Sequence, residues 1–196
     1  MGKNQHSKDR MFITATEWKE EYGGHKKKKE SSDRQLPFDC CALSLSTYET
    51  PVCTKEGVIF DILQIMPYVK QHRKNPLNGE PLAPKQLIRL NMQKNADGRW
   101  HCPVTYKVFT DHTHVVAVRP TGNVYAWDAV KELNLKAKNM TDLLTGEPFA
   151  RKDLLHLQDP NDPAVAARRN LDNFVHLKEV REEAARRLAA EARSGG

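Results

Sequence analysis

The residues best able to do chemistry are four cysteines, Cys40, Cys41, Cys53 and Cys102, and eight histidines spread over 196 residues. A structural zinc site needs Cys and His ligands paired at short, regular spacings such as C-x-x-C. The sequence contains no C-x-x-C and its histidines are scattered, so neither a structural metal nor any other cofactor is expected. Adjacent Cys40 and Cys41 are poorly placed to bridge each other, which suits a reducing compartment where disulfides are rare. Nucleophilic use would require a base or cation to activate a thiol. No such cluster adjoins Cys41 and only His101 adjoins Cys102, so both read as buried structural thiols and neither is a nucleophile candidate.

What positions these residues is an internal repeat. Cys41-Ala42-Leu43-Ser44-Leu45 is followed by Gly57-Val58-Ile59-Phe60 and then by Gly79-Glu80-Pro81-Leu82; Cys102-Pro103-Val104-Thr105-Tyr106 is followed by Gly122-Asn123-Val124-Tyr125 and Gly146-Glu147-Pro148-Phe149. Each glycine-led block predicts a hairpin turn entering a strand, with the aromatic residue plugging a small core. A short helix should follow in each copy. In the first it is expected from Ile65 to about Arg73, with Pro67 in the opening turn, where a missing N–H costs nothing. In the second, Asp128 is the expected N-cap, and Val130 with Leu133 the inward pair.

Residues 1–35 read as a basic arm, with a strand-like segment Met11–Ala15 and a Lys26–Lys29 run that is either a solvated charge run or one suited to nuclear import or RNA phosphates. Residues 36–95 and 96–160 are the two modules. Residues 161–193 predict one long helix from about Pro163 to Arg193, capped by Asp162, with an apolar stripe of Phe174, Leu177, Val180, Ala184 and Leu188. That stripe is expected to be an assembly element, its far end projecting outward. The apolar fraction of 39% predicts small modules rather than one large continuous core. The chain carries 31 Lys and Arg against 25 Asp and Glu, a mild basic excess of +6. Without a run of about 18 apolar residues or an apolar leader, neither membrane insertion nor secretion is expected.

The repeat resembles U-box domains, zinc-free relatives of the RING whose pattern begins Cys-Pro-Ile, passes through a Gly-x-x-Tyr strand and short helix, and returns with a Cys-Pro loop. The first copy departs at Ala42 in the Pro position but keeps Asn75-Pro76; the second keeps Cys102-Pro103-Val104 but has Asp142-Leu143 in the later loop. The resemblance extends over residues 1 to about 180, including Leu36-Pro37-Phe38-Asp39 and Thr121-Gly122-Asn123-Val124-Tyr125, to the U-box-containing cyclophilin-like proteins of the spliceosome. It implies an α+β fold of two tandem U-box modules with an N-terminal arm and a long C-terminal helix. It also implies a downstream cyclophilin domain that these residues do not contain, so prolyl isomerase activity is expected only of a longer parent protein.

By the same resemblance the chain is expected to be a RING-type ubiquitin transferase in the nucleus, recruiting a ubiquitin-conjugating enzyme and orienting its ubiquitin thioester. Spliceosomal proteins and the RNA backbone are the other expected partners. The conjugating-enzyme groove carries over to Leu43, Tyr68 and Pro76 in the first copy, and to Val104, Leu133 and Leu143 in the second. The first copy is the favoured one, because Tyr68 and Pro76 offer an aromatic anchor and a rigid, exposed loop. The alternative is a non-catalytic spliceosomal scaffold. A U-box holds its loops without metal, so buried polar groups must do so. The candidates are Asp61, Asn75, Asn78 and Glu80, then Asp128, Asp142 and Glu147.

Overall fold

The computed structural model describes residues 35–194, an α+β structure; Met11–Ala15 and Lys26–Lys29 lie outside the described residues. In the first copy, β1 (Pro51–Cys53), β2 (Ile59–Asp61) and β3 (Ile88–Arg89) form a three-stranded antiparallel sheet in the order β2-β1-β3. α1 (Ile62–His72) follows β2 directly. A two-stranded ribbon, β4 (Gln93–Lys94) and β5 (Trp100–His101), turns through Asn95–Arg99 and leads into the second copy. There β6 (Val115–Val118), β7 (Val124–Ala126) and β8 (Leu154–Gln158) repeat the order as β7-β6-β8, with α2 (Trp127–Val130) after β7.

The repeat holds at the level of single hydrogen bonds. Cys41 N–H donates to Ser46 and Cys102 N–H to Lys107; Leu45 N–H donates to Cys41 and Tyr106 N–H to Cys102. Leu45 and Tyr106, equivalent residues, both have positive φ, 58° and 57°. The later loops match too: Asn75 N–H donates to Glu80 and Asp142 N–H to Glu147, while Gly79 and Gly146 donate back to Asn75 and Asp142.

The helices differ from expectation. Asp61 caps α1 by accepting from Leu63 N–H, so the helix starts at Ile62 and Pro67 lies inside it rather than at its start. A carboxylate in strand β2 that can reach the first turn fixes the start more strongly than a proline further on. α2 is capped by Ala126, and Asp128 is exposed beside Lys107 at 3.6 Å; α2 then widens into a π-helical turn, Lys131–Lys136. That turn brings Asn134 inward and leaves Leu133 46% exposed, so Val130 alone of the expected inward pair is buried.

The two sheets share one core. Val52, Phe60, Ile65 and Val69 of the first copy join Val115, Val116, Tyr125 and Val130 of the second in a single buried cluster, contrary to the expectation of separate small cores. Two equivalent glycines permit this approach. A Cβ on Gly57 would come within 2.5 Å of the His156 carbonyl oxygen, and one on Gly122 closer still to the carbonyl of Arg89, the residue equivalent to His156. Each copy thus lays its hairpin turn on the third strand of the other, as two subunits do across a dyad. Asn91 N–H donates to the Gly122 carbonyl at 2.8 Å across this joint.

The C-terminal segment is not one helix. Asp162 caps α3 (Pro163–Arg168) as expected, with Pro163 at its first position, but the chain then turns through a 3-10 turn at Leu171–Asn173 before α4 (Val175–Ser194). Asn170 interrupts it, its side chain accepting from Asp172 N–H, a local turn that competes with helix. Arg169 pins the break: its guanidinium donates to the Leu36 carbonyl, Gln158 Oε1 and Asp111. Among the described residues no helix is long and apolar enough to cross a membrane.

Candidate functional site

Each module presents two loops beside a helix, held by one buried carboxylate, but the carboxylates sit at non-equivalent positions. In the first module Asp61 accepts from the amides of Glu49 at 2.8 Å, Thr50 at 3.3 Å and Leu63 at 2.8 Å, tying the Cys41 loop to the start of α1. The Cys41 sulfur, fully buried, accepts from Asp61 N–H at 3.2 Å and Leu43 N–H at 3.4 Å. In the second module Asp142 accepts from Thr121 Oγ1 at 2.6 Å, Tyr125 Oη at 2.7 Å, Asn123 Nδ2 at 3.0 Å and the amides of Leu144 and Thr145. Burial alone would raise the Asp142 pKa. The Thr121 and Tyr125 hydroxyls and the two amides outweigh it and hold the carboxyl down to about 2.

Of the other expected loop-holding residues, Asn75 is buried and accepts from Leu77 N–H at 3.0 Å. Asn78 makes only an exposed turn contact, and Glu80, Asp128 and Glu147 are exposed surface residues. Sequence reasoning missed the donors to Asp142. Their signal is the spacing Thr121-x-Asn123-x-Tyr125, which along an extended chain puts three polar groups on one face.

The thiols behave as expected for structural residues. Cys41 and Cys102 are completely buried, and burial pushes the Cys53 thiol up to about 12. Cys40, half-buried beside Asp39, is pushed up to about 11, first by burial and then by that carboxylate.

Leu43, Tyr68 and Pro76 do converge, but beneath the C-terminal helix. Val175 N–H donates to the Leu77 carbonyl and His176 N–H to that of Pro76, both at 3.0 Å; His176 Nδ1 also donates to the Pro76 carbonyl at 3.0 Å. The His176 ring also lies beside the backbone of Leu43, while burial, and after it the charge of Glu179 one turn on, raises the Tyr68 pKa. Pro76 is therefore buried rather than exposed, and Leu77 is only 8% exposed. Leu43 and Tyr68 are half-buried. Phe174 and His176 are buried here, so the first turns of α4 belong to the first module's packing, whereas Val180 and Leu188 are 61% and 67% exposed. The projection of the far end is as expected; the seat of the near end on the first module is not.

The second module leaves the equivalents of Tyr68 and Leu77 exposed. Val104 and Leu143 are half-buried, Leu133 is exposed, and Leu144, the equivalent of Leu77, is 51% exposed. Tyr106 stands out at 76% exposed, stacked on His101 with ring centroids 5.9 Å apart.

No protein-family model matches the chain. It is 53% identical over 179 residues to peptidyl-prolyl cis-trans isomerase CYP65 of Arabidopsis thaliana, covering 91% of this chain and 30% of that protein. It is 46% identical over 183 residues to peptidyl-prolyl cis-trans isomerase 4 of Caenorhabditis elegans, covering 91% of this chain and 34% of that protein. A peptidyl-prolyl cis-trans isomerase-like 2 of Rhizopus delemar is 44% identical over 182 residues, covering 89% and 34%. The chain thus spans about a third of the curated relatives it matches, and those relatives, from a plant, a nematode and a fungus, are by name peptidyl-prolyl isomerases.

Proposed function

We propose that this chain is a tandem U-box region that recruits a ubiquitin-conjugating enzyme through its second module, in a nuclear pre-mRNA splicing assembly. The observation that carries the choice of module is the difference in cover: Leu133 and Leu144 are 46% and 51% exposed, whereas Pro76 and Leu77 lie beneath α4. A docking face needs accessible apolar side chains flanked by polar ones. The resemblance to U-box cyclophilin-like proteins supports the ubiquitin and splicing parts of the reading. Prolyl isomerase activity, named for the relatives, belongs on this reading to the part of such proteins outside the aligned third.

The chemistry asked of the module is positional. It binds the charged conjugating enzyme and narrows the orientations of the ubiquitin thioester, which requires rigid loops rather than a nucleophile. Asp142 supplies that rigidity to the very loop that carries Leu143 and Leu144. A panel of charged conjugating enzymes and a thioester-discharge assay test the reading. Val104→Ala and Leu143→Ala should each slow discharge by about tenfold, the loss of about 1 to 2 kcal/mol of hot-spot binding, while Tyr68→Ala should leave it unchanged. Discharge insensitive to both second-module changes would contradict the assignment.

A scaffold reading is favoured for the first module by the same cover, since its face already seats the chain's own helix. On that reading α4 and its arginines present a protein- and RNA-binding surface, and the first module is its mount.

A further inference from the structure

We propose that His114, His156 and Asp159 form a divalent-metal site in the second module, suited to zinc or a cation of similar softness. His114 Nε2 lies 2.8 Å from His156 Nδ1 and 3.5 Å from Asp159 Oδ2, and all three ligand atoms lie within 4.8 Å of one another. Two imidazole nitrogens and a carboxylate oxygen are a zinc donor set, and bonds of about 2.0–2.2 Å need donors separated by roughly 3 to 3.5 Å, a small adjustment from this spacing.

The proton count argues for a cation. If His114 Nε2 carries the hydrogen it donates to His156 Nδ1, and Asp159 receives at best a weak share at 3.5 Å. If His156 Nδ1 carries it instead, the Asp159 carboxylate faces a bare lone pair. Acceptors therefore converge on one point with fewer protons than they need, which a metal ion resolves.

The surroundings hold the three side chains in place. The His114 carbonyl accepts from Trp127 N–H at 2.9 Å, and the Trp127 ring stacks on His114 at 4.9 Å and lies 5.3 Å from His156. Asp159 Oδ1 accepts from Asn161 N–H, leaving Oδ2 for the site. His156 follows from a bulge: Val116 opposes His156 but Val115 opposes Gln158, so Leu157 is the extra residue. The first module makes the same strand pairing with Arg89 opposite Val52, and its equivalent of His114 is Thr50. The fold does not require this cluster, and the three ligands come from three segments that a metal would tie together beside the Gly57 joint.

The test is calorimetric titration of the chelator-stripped chain with zinc chloride, followed by long-range nitrogen–proton spectra of the histidine rings. Saturable binding of one zinc per chain is expected, with chemical-shift changes at His114 Nε2 and His156 Nδ1. Fluorescence should also change, and Trp127→Phe should abolish that change. His114→Gln and His156→Gln should weaken binding at least about tenfold. Absence of saturable binding overturns the site. So does saturation without shifts at those two nitrogens, since zinc is then held by other histidines; the ring spectra of the unaltered chain decide this even where a variant fails to fold.

Discussion

Asp61 and Asp142 both gather loop amides onto a carboxylate, and the two modules differ because Phe60 and Val58 stand where Tyr125 and Asn123 supply donors. Asp142→Ala strips a buried charge-assisted hub and should cost about 3 kcal/mol, read by denaturant melts. The folded carboxyl is depressed to about 2, below its ordinary value of 3.8, so its contribution is complete above about pH 4 and is lost as pH falls through 2. An acid titration of the parent against Asp142→Asn should show that difference vanish. Glycines separate in the same way. Gly122→Ala meets the Arg89 carbonyl as well as a φ of 75° and should destabilise by about 3 kcal/mol or more, whereas Gly146→Ala, with open space and a φ of 73°, should cost only about 1 to 2 kcal/mol. Asp142 and the glycines were legible as residues in the sequence. Their partners were not, because Arg89 and Gly122 meet only when the two repeats of this chain fold together.

At the scale of elements, the strands that follow Gly57 and Gly122 stand where local turn chemistry puts them, and Asp162-Pro163 starts a helix as written. The misread start of α1 has a three-dimensional cause, whereas α2 starts after Ala126 with no side-chain cap. A cap is chosen by which side chain reaches the first-turn amides in three dimensions, and strand β2 carries Asp61 there whatever Pro67 does later. The break at Asn170 was hidden because the apolar stripe begins only at Phe174 and is silent about the residues before it, while Arg169 anchors to Leu36 and Asp111, far away in sequence, as well as to Gln158. Removing residues 181–196 should leave the melting temperature of the described unit nearly unchanged, since Val180 and Leu188 are exposed; removing residues 174–196 should lower it clearly, since Phe174 and His176 are buried. The seat of α4 should also respond to pH. Burial lowers the His176 pKa against its bond to the Pro76 carbonyl, the nearby Leu43 backbone and the charge of Glu179, so the stability it lends is present above about 6.5 and is lost as pH falls through the depressed value. Faster hydrogen exchange at the Val175 and His176 amides on acidification is the expected readout.

For the whole molecule, the repeat was readable from spacing, but its consequence was not: two copies of a small sheet bury one core together because each offers a glycine turn to the other's third strand. That arrangement leaves Leu133 and Leu144 exposed and lets the C-terminal segment settle over Pro76 and Leu77, a difference in cover that residue type alone did not show. Rigidity of a loop was legible in its proline; its cover was not, since His176 lies a hundred residues away along the chain. The most direct test is a nuclear magnetic resonance titration of the labelled chain with a ubiquitin-conjugating enzyme. The account predicts that perturbations gather at Val104, Leu133, Leu143 and Leu144 while Leu43, Tyr68 and Pro76 stay still. Perturbations confined to those first-module residues, with α4 released, or none anywhere across a panel of such enzymes, would contradict it.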